Sequence, residues 1–171
     1  GHQNKHRVVR RKLKSGIRAR SCIGRKANAT RPEIEQIIIR GKAGRSEDDF
    51  ERDLYIIRRR IEKAAIADQV DLYICSLSCR SLIYKGMFLA ENLTDFYPDL
   101  LDGRFISRFA IYHQRYSTNT FPTWKLAQPF RRVAHNGEIN TISGNVNWMR
   151  SHETRLPDPA LDPYLCPFHN F

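Results

Sequence analysis

The stretch from residue 109 to residue 150, FAIYHQRYSTNTFPTWKLAQPFRRVAHNGEINTISGNVNWMR, decides how the chain is interpreted. It contains two apolar runs, and each ends in a polar cluster: residues 113–120 (HQRYSTNT) and residues 135–138 (HNGE). Apolar runs bounded by turn-forming residues are typical of strands. Polar side chains at strand ends are held in place by the sheet behind them. The pattern therefore predicts a binding or catalytic site supplied by two strand ends.

The residue types in the two clusters suit a small anionic or amide substrate. An arginine can hold a carboxylate through two parallel hydrogen bonds, which makes Arg115 a candidate binding residue. Asn136 and Gly137 permit two interpretations. On local pattern alone a plain hairpin turn is favoured, because Asn-Gly between strand-like runs is the strongest short signal for one. Alternatively, the Asn136 amide and the open Gly137 N–H place two donors on one developing oxyanion.

Other residues that invite a chemical role have ordinary explanations. His113 is favoured as a packed or hydrogen-bonded histidine, because no nucleophile signature lies nearby. His135 and Glu138 lack a third ligand, so we expect no metal site. The four cysteines are too few and too irregularly spaced for a disulfide scaffold, and reduced thiols in a cytoplasm are expected. We interpret Cys75 and Cys79 as core thiols.

Upstream, the chain predicts alternating strands and helices. Residues 32–40 (PEIEQIIIR) indicate a strand, and Ser46 followed by Asp49 predicts the capped start of a helix. The helix has an apolar face made of Phe50, Leu54, Ile57, Ile61 and Ala65. The cluster Arg58–Arg60 on this helix is interpreted as a solvated face.

Further strands are predicted over residues 71–78, 81–88, 104–116 and 130–139. A last helix is expected to start at Gly144 or Asn145 and to bury Val146, Trp148 and Met149. Strands and helices in this order imply a layered domain of the α/β or α+β class.

The charge is concentrated at one end of the chain. The net charge of +11 suggests an anionic partner such as nucleic acid. Yet residues 1–31 hold eleven Lys and Arg and no acid, which leaves 18 basic and 18 acidic residues for the rest. We expect a solvated tail, with ordered structure beginning after Pro32. Nucleic-acid binding is the weaker hypothesis, because the neutral remainder has no zinc-finger spacing and no RNP-like strand. No run approaches the roughly 18 apolar residues of a membrane helix, and no secretory signal is present.

Residues 109–150 resemble the glutaminase domain of glutamate synthases, which are class II, N-terminal-nucleophile glutamine amidotransferases. RPEIEQIII, DLYIIRRRIEK and YICSLS resemble the same family, so the likeness covers about residues 24–156. The resemblance implies an α+β fold, the four-layer αββα sandwich of N-terminal nucleophile hydrolases, incomplete at both ends. It sets residues 1–23 apart as a basic segment unlike the family, disordered or foreign to the fold, and residues 24–171 as a partial amidotransferase domain.

The resemblance also implies roles for named residues. Arg115 would bind the α-carboxylate of glutamine, with Tyr116 and Thr118 lining the same pocket. The Asn136 side chain and the Gly137 N–H would form the oxyanion hole. The resemblance thus reverses the preference for a plain Asn-Gly turn.

The family's nucleophile is a cysteine at the mature N-terminus, whereas this sequence starts with Gly1. We therefore expect an internal fragment that does not hydrolyse glutamine unaided; a degenerate, non-catalytic remnant is a further alternative. Cys22 with Gly24 faintly resembles the mature start of amidotransferases, but no further motif follows it.

For the parent protein, the resemblance implies hydrolysis of glutamine to glutamate and ammonia, followed by reductive transfer of the ammonia to 2-oxoglutarate. No cofactor is expected in this segment; FMN and an iron–sulfur cluster belong to the rest of the parent. The implied partners are glutamine, the synthase domain of the same polypeptide, and a small reductase subunit or ferredoxin. The implied location is the cytoplasm, or a plastid for a plant-like source.

Overall fold

A computed structural model describes residues 8–12, 22–115, 121–129 and 142–153. Strand β1 (Val8–Lys12) pairs antiparallel with β2 (Glu35–Ile39), with Val8 opposite Ile39. Strand β2 confirms the strand predicted within residues 32–40. Along the chain, helix α1 (Arg25–Ala29) follows β1 and precedes β2.

The expectation that ordered structure begins only after Pro32 is wrong. Strand β1 lies within the basic segment, and Ile23 and Ala27 belong to the buried core. A strand ladder is made by backbone N–H and C=O groups, which a basic composition does not remove. Five residues are also too few to show a period that sequence analysis can detect.

Helix α2 (Glu47–Ala67) begins as predicted. The Ser46 hydroxyl accepts a hydrogen bond from the Asp49 backbone N–H at 3.1 Å and donates one to the Asp49 carboxylate at 2.7 Å. The first turn carries Glu47, Asp48 and Asp49, whose charges are favourable beside the positive end of the helix dipole. The cap satisfies one of the backbone donors that a helix leaves open at its start.

The buried face of α2 differs from the predicted one. Leu54 is 3% exposed and Arg58 is buried, whereas Ile57 is 36% and Ile61 39% exposed. Leu54 belongs to both faces, and the buried face extends from it toward Arg58. The interpretation of Arg58 as solvated is wrong: its guanidinium lies 5.2 Å from the centroid of the Tyr55 ring and 3.7 Å from the Glu62 carboxylate. A long aliphatic stem with a ring and a carboxylate around its cation can be buried at modest cost.

An aromatic core forms where α1, residues 84–101 and residues 121–127 meet. Phe96 lies at its centre, with ring centroids 4.9 Å from Phe88, 4.9 Å from Tyr97 and 5.7 Å from Trp124. Residues 84–101 are shaped by two short 3-10 helices (Ala90–Asn92 and Pro98–Leu101) and by helix α3 (Leu93–Phe96). Offset and edge-on ring pairs of this kind stabilise a core beyond the area they bury.

Three predicted strands are wrong in the described part of the chain. Residues 71–78, 81–88 and 104–115 contain no strand. A strand needs a neighbour to satisfy its backbone groups, and in residues 81–88 the aromatic side chains pack into the core instead. The strand predicted over residues 130–139 lies outside the described residues.

Helix α4 (Ser143–Glu153) begins one residue before Gly144 and two before Asn145, the two predicted starts. Its expected buried face is wrong for Trp148, which is 78% exposed, and for Met149, which is also exposed; Val146 is partly buried. Within the described ranges, no helix combines the length and the apolar character needed to cross a bilayer.

Candidate functional site

One of the five predicted site residues lies in the described part of the chain. Arg115 ends the segment of residues 102–115, which we call the arm, and every residue of the arm is exposed. Its guanidinium makes no ion pair with a described carboxylate, which leaves it accessible to an anionic ligand. Tyr116, Thr118, Asn136 and Gly137 lie outside the described residues.

Residues 121–129, which we call the connector, join the two polar clusters along the chain. The connector contains one helical turn: the Ala127 N–H donates to the Thr123 carbonyl at 3.0 Å, and the Leu126 N–H donates to the Thr123 hydroxyl at 3.2 Å. The Thr123 side chain thus caps the turn that follows it. Trp124 within this turn is buried in the aromatic core.

Two hydrogen bonds fix the connector to distant parts of the chain. The Trp124 indole N–H donates to the Ala27 carbonyl at 2.9 Å, across 97 residues. The Lys85 ammonium donates to the Lys125 carbonyl at 2.8 Å, across 40 residues. Because the two anchors act on adjacent residues, they set both the position and the direction of the turn.

The Lys85 side chain is 6% exposed, which is unusual for a lysine. Its ammonium lies 4.1 Å from the centroid of the Tyr73 ring, and the Tyr97 hydroxyl donates to the Lys85 carbonyl at 2.7 Å. Burial lowers the pKa of Lys85, and the nearby Cys75 thiol partly opposes this shift. The sequence signal for this residue is a single lysine inside an apolar run, LIYKGMF.

Gly86, next to Lys85, leaves room for Trp124. A Cβ at this position would lie 2.8 Å from the Trp124 ring and closer still to the Phe88 ring. Any larger residue would have to displace one of these rings. A glycine in an apolar run is a known signal for such a close approach, and here it identifies a contact that the sequence analysis did not predict.

Glu51 lies beside a turn that contains Cys79. It accepts a hydrogen bond from the Ser78 hydroxyl at 2.7 Å and from the Cys79 N–H at 2.9 Å, and the Cys79 Sγ lies 3.1 Å from the same carboxylate. Desolvation opposes the effect of these hydrogen bonds on Glu51, but the bonds prevail and lower its pKa.

The described cysteines are all free thiols. Desolvation raises the pKa of Cys79, and Glu51 raises it further; burial likewise raises the pKa of Cys75 and of Cys22. The prediction of a core thiol is wrong for Cys79, which is exposed. Among the described residues, no group of three His, Cys, Asp or Glu side chains could hold a metal ion.

Comparison with known protein families identifies the family of the chain. The family model of class-II glutamine amidotransferases matches residues 4–168, which include both polar clusters. The chain belongs to this family. The amidotransferase match begins inside the segment of residues 1–23 that the sequence analysis set apart, and the boundary at residue 24 stays a prediction.

The amidotransferase sequence is similar to glutamate synthases. It is 72% identical, over 84% of its length, to the glutamate synthase (NADPH) large chain of Azospirillum brasilense. It is 54% identical, over 82% of its length, to the chloroplastic ferredoxin-dependent glutamate synthase of Spinacia oleracea. It is also 45% identical, over 78% of its length, to the glutamate synthase (NADPH) large chain of Bacillus subtilis. The chain spans about a tenth of these relatives, covering 10% of the first and 9% of the other two.

Proposed function

We propose that the chain is part of a glutaminase domain that releases ammonia from glutamine and supplies it to the synthase domain of the same polypeptide. There the ammonia is transferred reductively to 2-oxoglutarate. One observation carries the proposal: HQRYSTNT and HNGE both lie in the region that is 72% identical to a glutamate synthase large chain. Because that alignment covers 84% of the chain, it includes both clusters wherever it begins.

In this proposal Arg115 holds the α-carboxylate of glutamine. A guanidinium binds a carboxylate through two parallel hydrogen bonds, which fixes the orientation of the substrate as well as its charge. Tyr116 and Thr118 line the same pocket. The exposure of Arg115 at the end of the arm suits a residue that binds its partner from solution.

Asn136 and Gly137 stabilise the reaction itself. When the nucleophile attacks the amide carbon of glutamine, negative charge develops on the former carbonyl oxygen. The Asn136 side-chain amide and the Gly137 N–H donate to that oxygen, and the loss of one such donor commonly costs about 10² to 10³ in rate. A tight Asn-Gly turn aims both donors at one point, so the turn and the oxyanion hole are compatible.

The remaining parts of the proposal concern the complete protein. We assign the domain to the four-layer αββα sandwich and the protein to the cytoplasm or a plastid. FMN and an iron–sulfur cluster would lie in the synthase part, with a reductase subunit or ferredoxin as the electron source. The described residues of this chain do not fit a cluster, because Cys22, Cys75 and Cys79 belong to no group of potential metal ligands.

The test compares glutamine-dependent with ammonia-dependent glutamate synthesis in the complete polypeptide. We expect Asn136→Ala to lower the glutamine-dependent kcat by about 10² to 10³ and to leave ammonia-dependent turnover intact. Arg115→Ala should raise the KM for glutamine by roughly tenfold or more, because a charged hydrogen-bond partner is lost.

Arg108→Ala is the matched control, since Arg108 is exposed on the same arm but lies outside the polar cluster. It should leave both activities unchanged. An equal loss of both activities in Asn136→Ala, or an unchanged glutamine KM in Arg115→Ala, would contradict the proposed roles.

A further inference from the structure

We propose that Lys85 and Trp124 are positioning residues for glutamine hydrolysis. They fix the connector, residues 121–129, and through it the two polar clusters that flank the connector. The inference rests on the proposed function of those clusters.

The first step is the length of chain involved. Residues 113–120 end where the connector begins, and residues 135–138 start six residues after Pro129. Six extended residues span at most about 20 Å. The connector is therefore bonded directly to the first cluster and joined to the second by a short tether, so the chain links its position to both.

The second step is the pair of anchors. Trp124 and Lys125 are adjacent, and one is held through its indole N–H to Ala27 while the other is held through its carbonyl by Lys85. One hydrogen bond would leave the turn free to rotate about the contact, whereas two bonds to separate parts of the chain restrict that rotation. The Lys85 bond is charge-assisted and lies in a buried place, which makes it one of the stronger kinds.

The third step is the cost of placing a lysine there. Burying an ammonium is unfavourable unless its hydrogen-bonding capacity is used, and an apolar side chain of similar length would fill the space more cheaply. Lys85 is nevertheless held firmly, with the Tyr73 ring against its ammonium and the Tyr97 hydroxyl on its carbonyl. Directly beside it, Gly86 admits the Trp124 ring. Lys85 and Gly86 together therefore form the surface that the connector contacts.

The fourth step is the contrast with the arm. In the described residues of the arm, hydrogen bonds join only near neighbours, such as Arg104 with Asp102 and Ser107 with Phe109. Among the described residues, the arm contacts the core through the ring of Phe105, eight residues before His113, whose centroid lies 6.0 Å from that of Tyr84. The connector adjoins the first cluster directly, so it is the anchored segment closer to that cluster along the chain.

The experiment measures kcat and KM for glutamine, and ammonia-dependent turnover, in the complete polypeptide. Lys85→Met keeps the length of the side chain and removes the donor. We expect kcat/KM for glutamine to fall about tenfold, with ammonia-dependent turnover within about twofold of the starting protein. Lys85→Arg, which retains a donor, should restore part of the loss. If Lys85→Met fails to fold, Trp124→Phe provides the same test, because it keeps a ring and removes the indole N–H.

Asn92→Ala is the matched control. The Asn92 side-chain amide donates to the Cys22 carbonyl at 2.8 Å in the same part of the fold, and not to the connector. It should lower stability and leave the glutamine kinetics unchanged. The inference is overturned if Lys85→Met leaves kcat/KM for glutamine within twofold, if both activities fall in proportion, or if Asn92→Ala has the same kinetic effect.

Arg115→Ala in the same series separates the two proposals. If it raises the KM for glutamine while Lys85→Met and Trp124→Phe leave kcat/KM for glutamine within twofold, the positioning role is wrong and the proposed function stands. If it leaves the KM unchanged, the proposed function itself fails.

Discussion

The arm runs into the polar cluster of residues 113–120 and the connector follows that cluster, yet the two segments have opposite environments. Both are rich in large apolar residues, yet Ile106 in the arm is 88% exposed and Trp124 in the connector is buried. The difference lies in what surrounds them. Trp124 meets the Phe96 ring and the Ala27 carbonyl, whereas the described structure offers Ile106 no such neighbour. Even in the connector, Phe121 is 94% exposed. Burial in this chain follows from the available partners and not from composition alone.

The strongest test of this difference is to truncate one aromatic residue in the connector and one in the arm. Trp124→Ala should lower the free energy of unfolding by about 3–5 kcal/mol, because it opens a cavity in the aromatic core and removes the indole hydrogen bond to the Ala27 carbonyl. Phe109→Ala on the arm should change it by less than about 0.5 kcal/mol. Urea denaturation followed by circular dichroism measures both. Equal losses would show that the arm is packed in solution.

A smaller effect is expected from filling the space that Trp124 occupies. Gly86→Ala places a methyl group against the Trp124 and Phe88 rings and should cost about 1–3 kcal/mol, because overpacking forces the rings to move. Gly103→Ala is the control at the start of the arm, where an added Cβ meets no atom within 4 Å. A neutral Gly86→Ala would mean that Trp124 is not seated as described.

The smallest effect is expected at Glu51, whose carboxylate holds the turn at Cys79 through hydrogen bonds. Hydrogen bonds to Glu51 lower its pKa below the usual value of about 4.3, so its charged form stabilises the fold. This contribution is fully present above that value and is lost as the pH falls through the lower pKa of the folded state. Glu51→Gln should therefore be less stable than the starting protein near pH 6, and the gap in the free energy of unfolding should narrow as the pH falls below the usual glutamate value of about 4.3.

Urea midpoints at several pH values measure this effect. Glu91→Gln, at an exposed position, controls for the loss of one negative charge. A gap that stays constant with pH for Glu51→Gln would refute the role of its ionisation. The contribution of Trp124 to the free energy of unfolding should not change with pH over this range.

The parts of the fold that sequence analysis predicted are those that depend on near neighbours. The cap at Ser46, strand β2 and the start of α4 each follow from a few adjacent residues. The failures have two sources. On α2, Tyr55 and Glu62 lie within four residues of Arg58 on the same helix and accommodate its cation, which an apolar pattern does not reveal. The expected strands depend on distant partners, and they did not form where no ladder partner lies within the described residues.

The candidate site divides in the same way. Arg115 could be named from its motif, because a guanidinium has a specific chemistry that needs no tertiary information. Lys85 could not, because its importance depends on a carbonyl 40 residues away. A glycine in an apolar run at position 86 indicates a close contact, but the sequence does not identify the ring that makes it.

The hydrogen bond between Cys79 and Glu51 has a consequence for handling the protein. Alkylating reagents and peroxides attack the thiolate, and a thiol whose pKa is raised carries little of it at neutral pH. Cys79 is exposed, yet its raised pKa favours the unreactive thiol over the thiolate, and the less exposed Cys22 and Cys75 share the same direction of shift. A maleimide should therefore label Cys79 more slowly at neutral pH than an exposed cysteine with an ordinary pKa, and the rate should rise with pH.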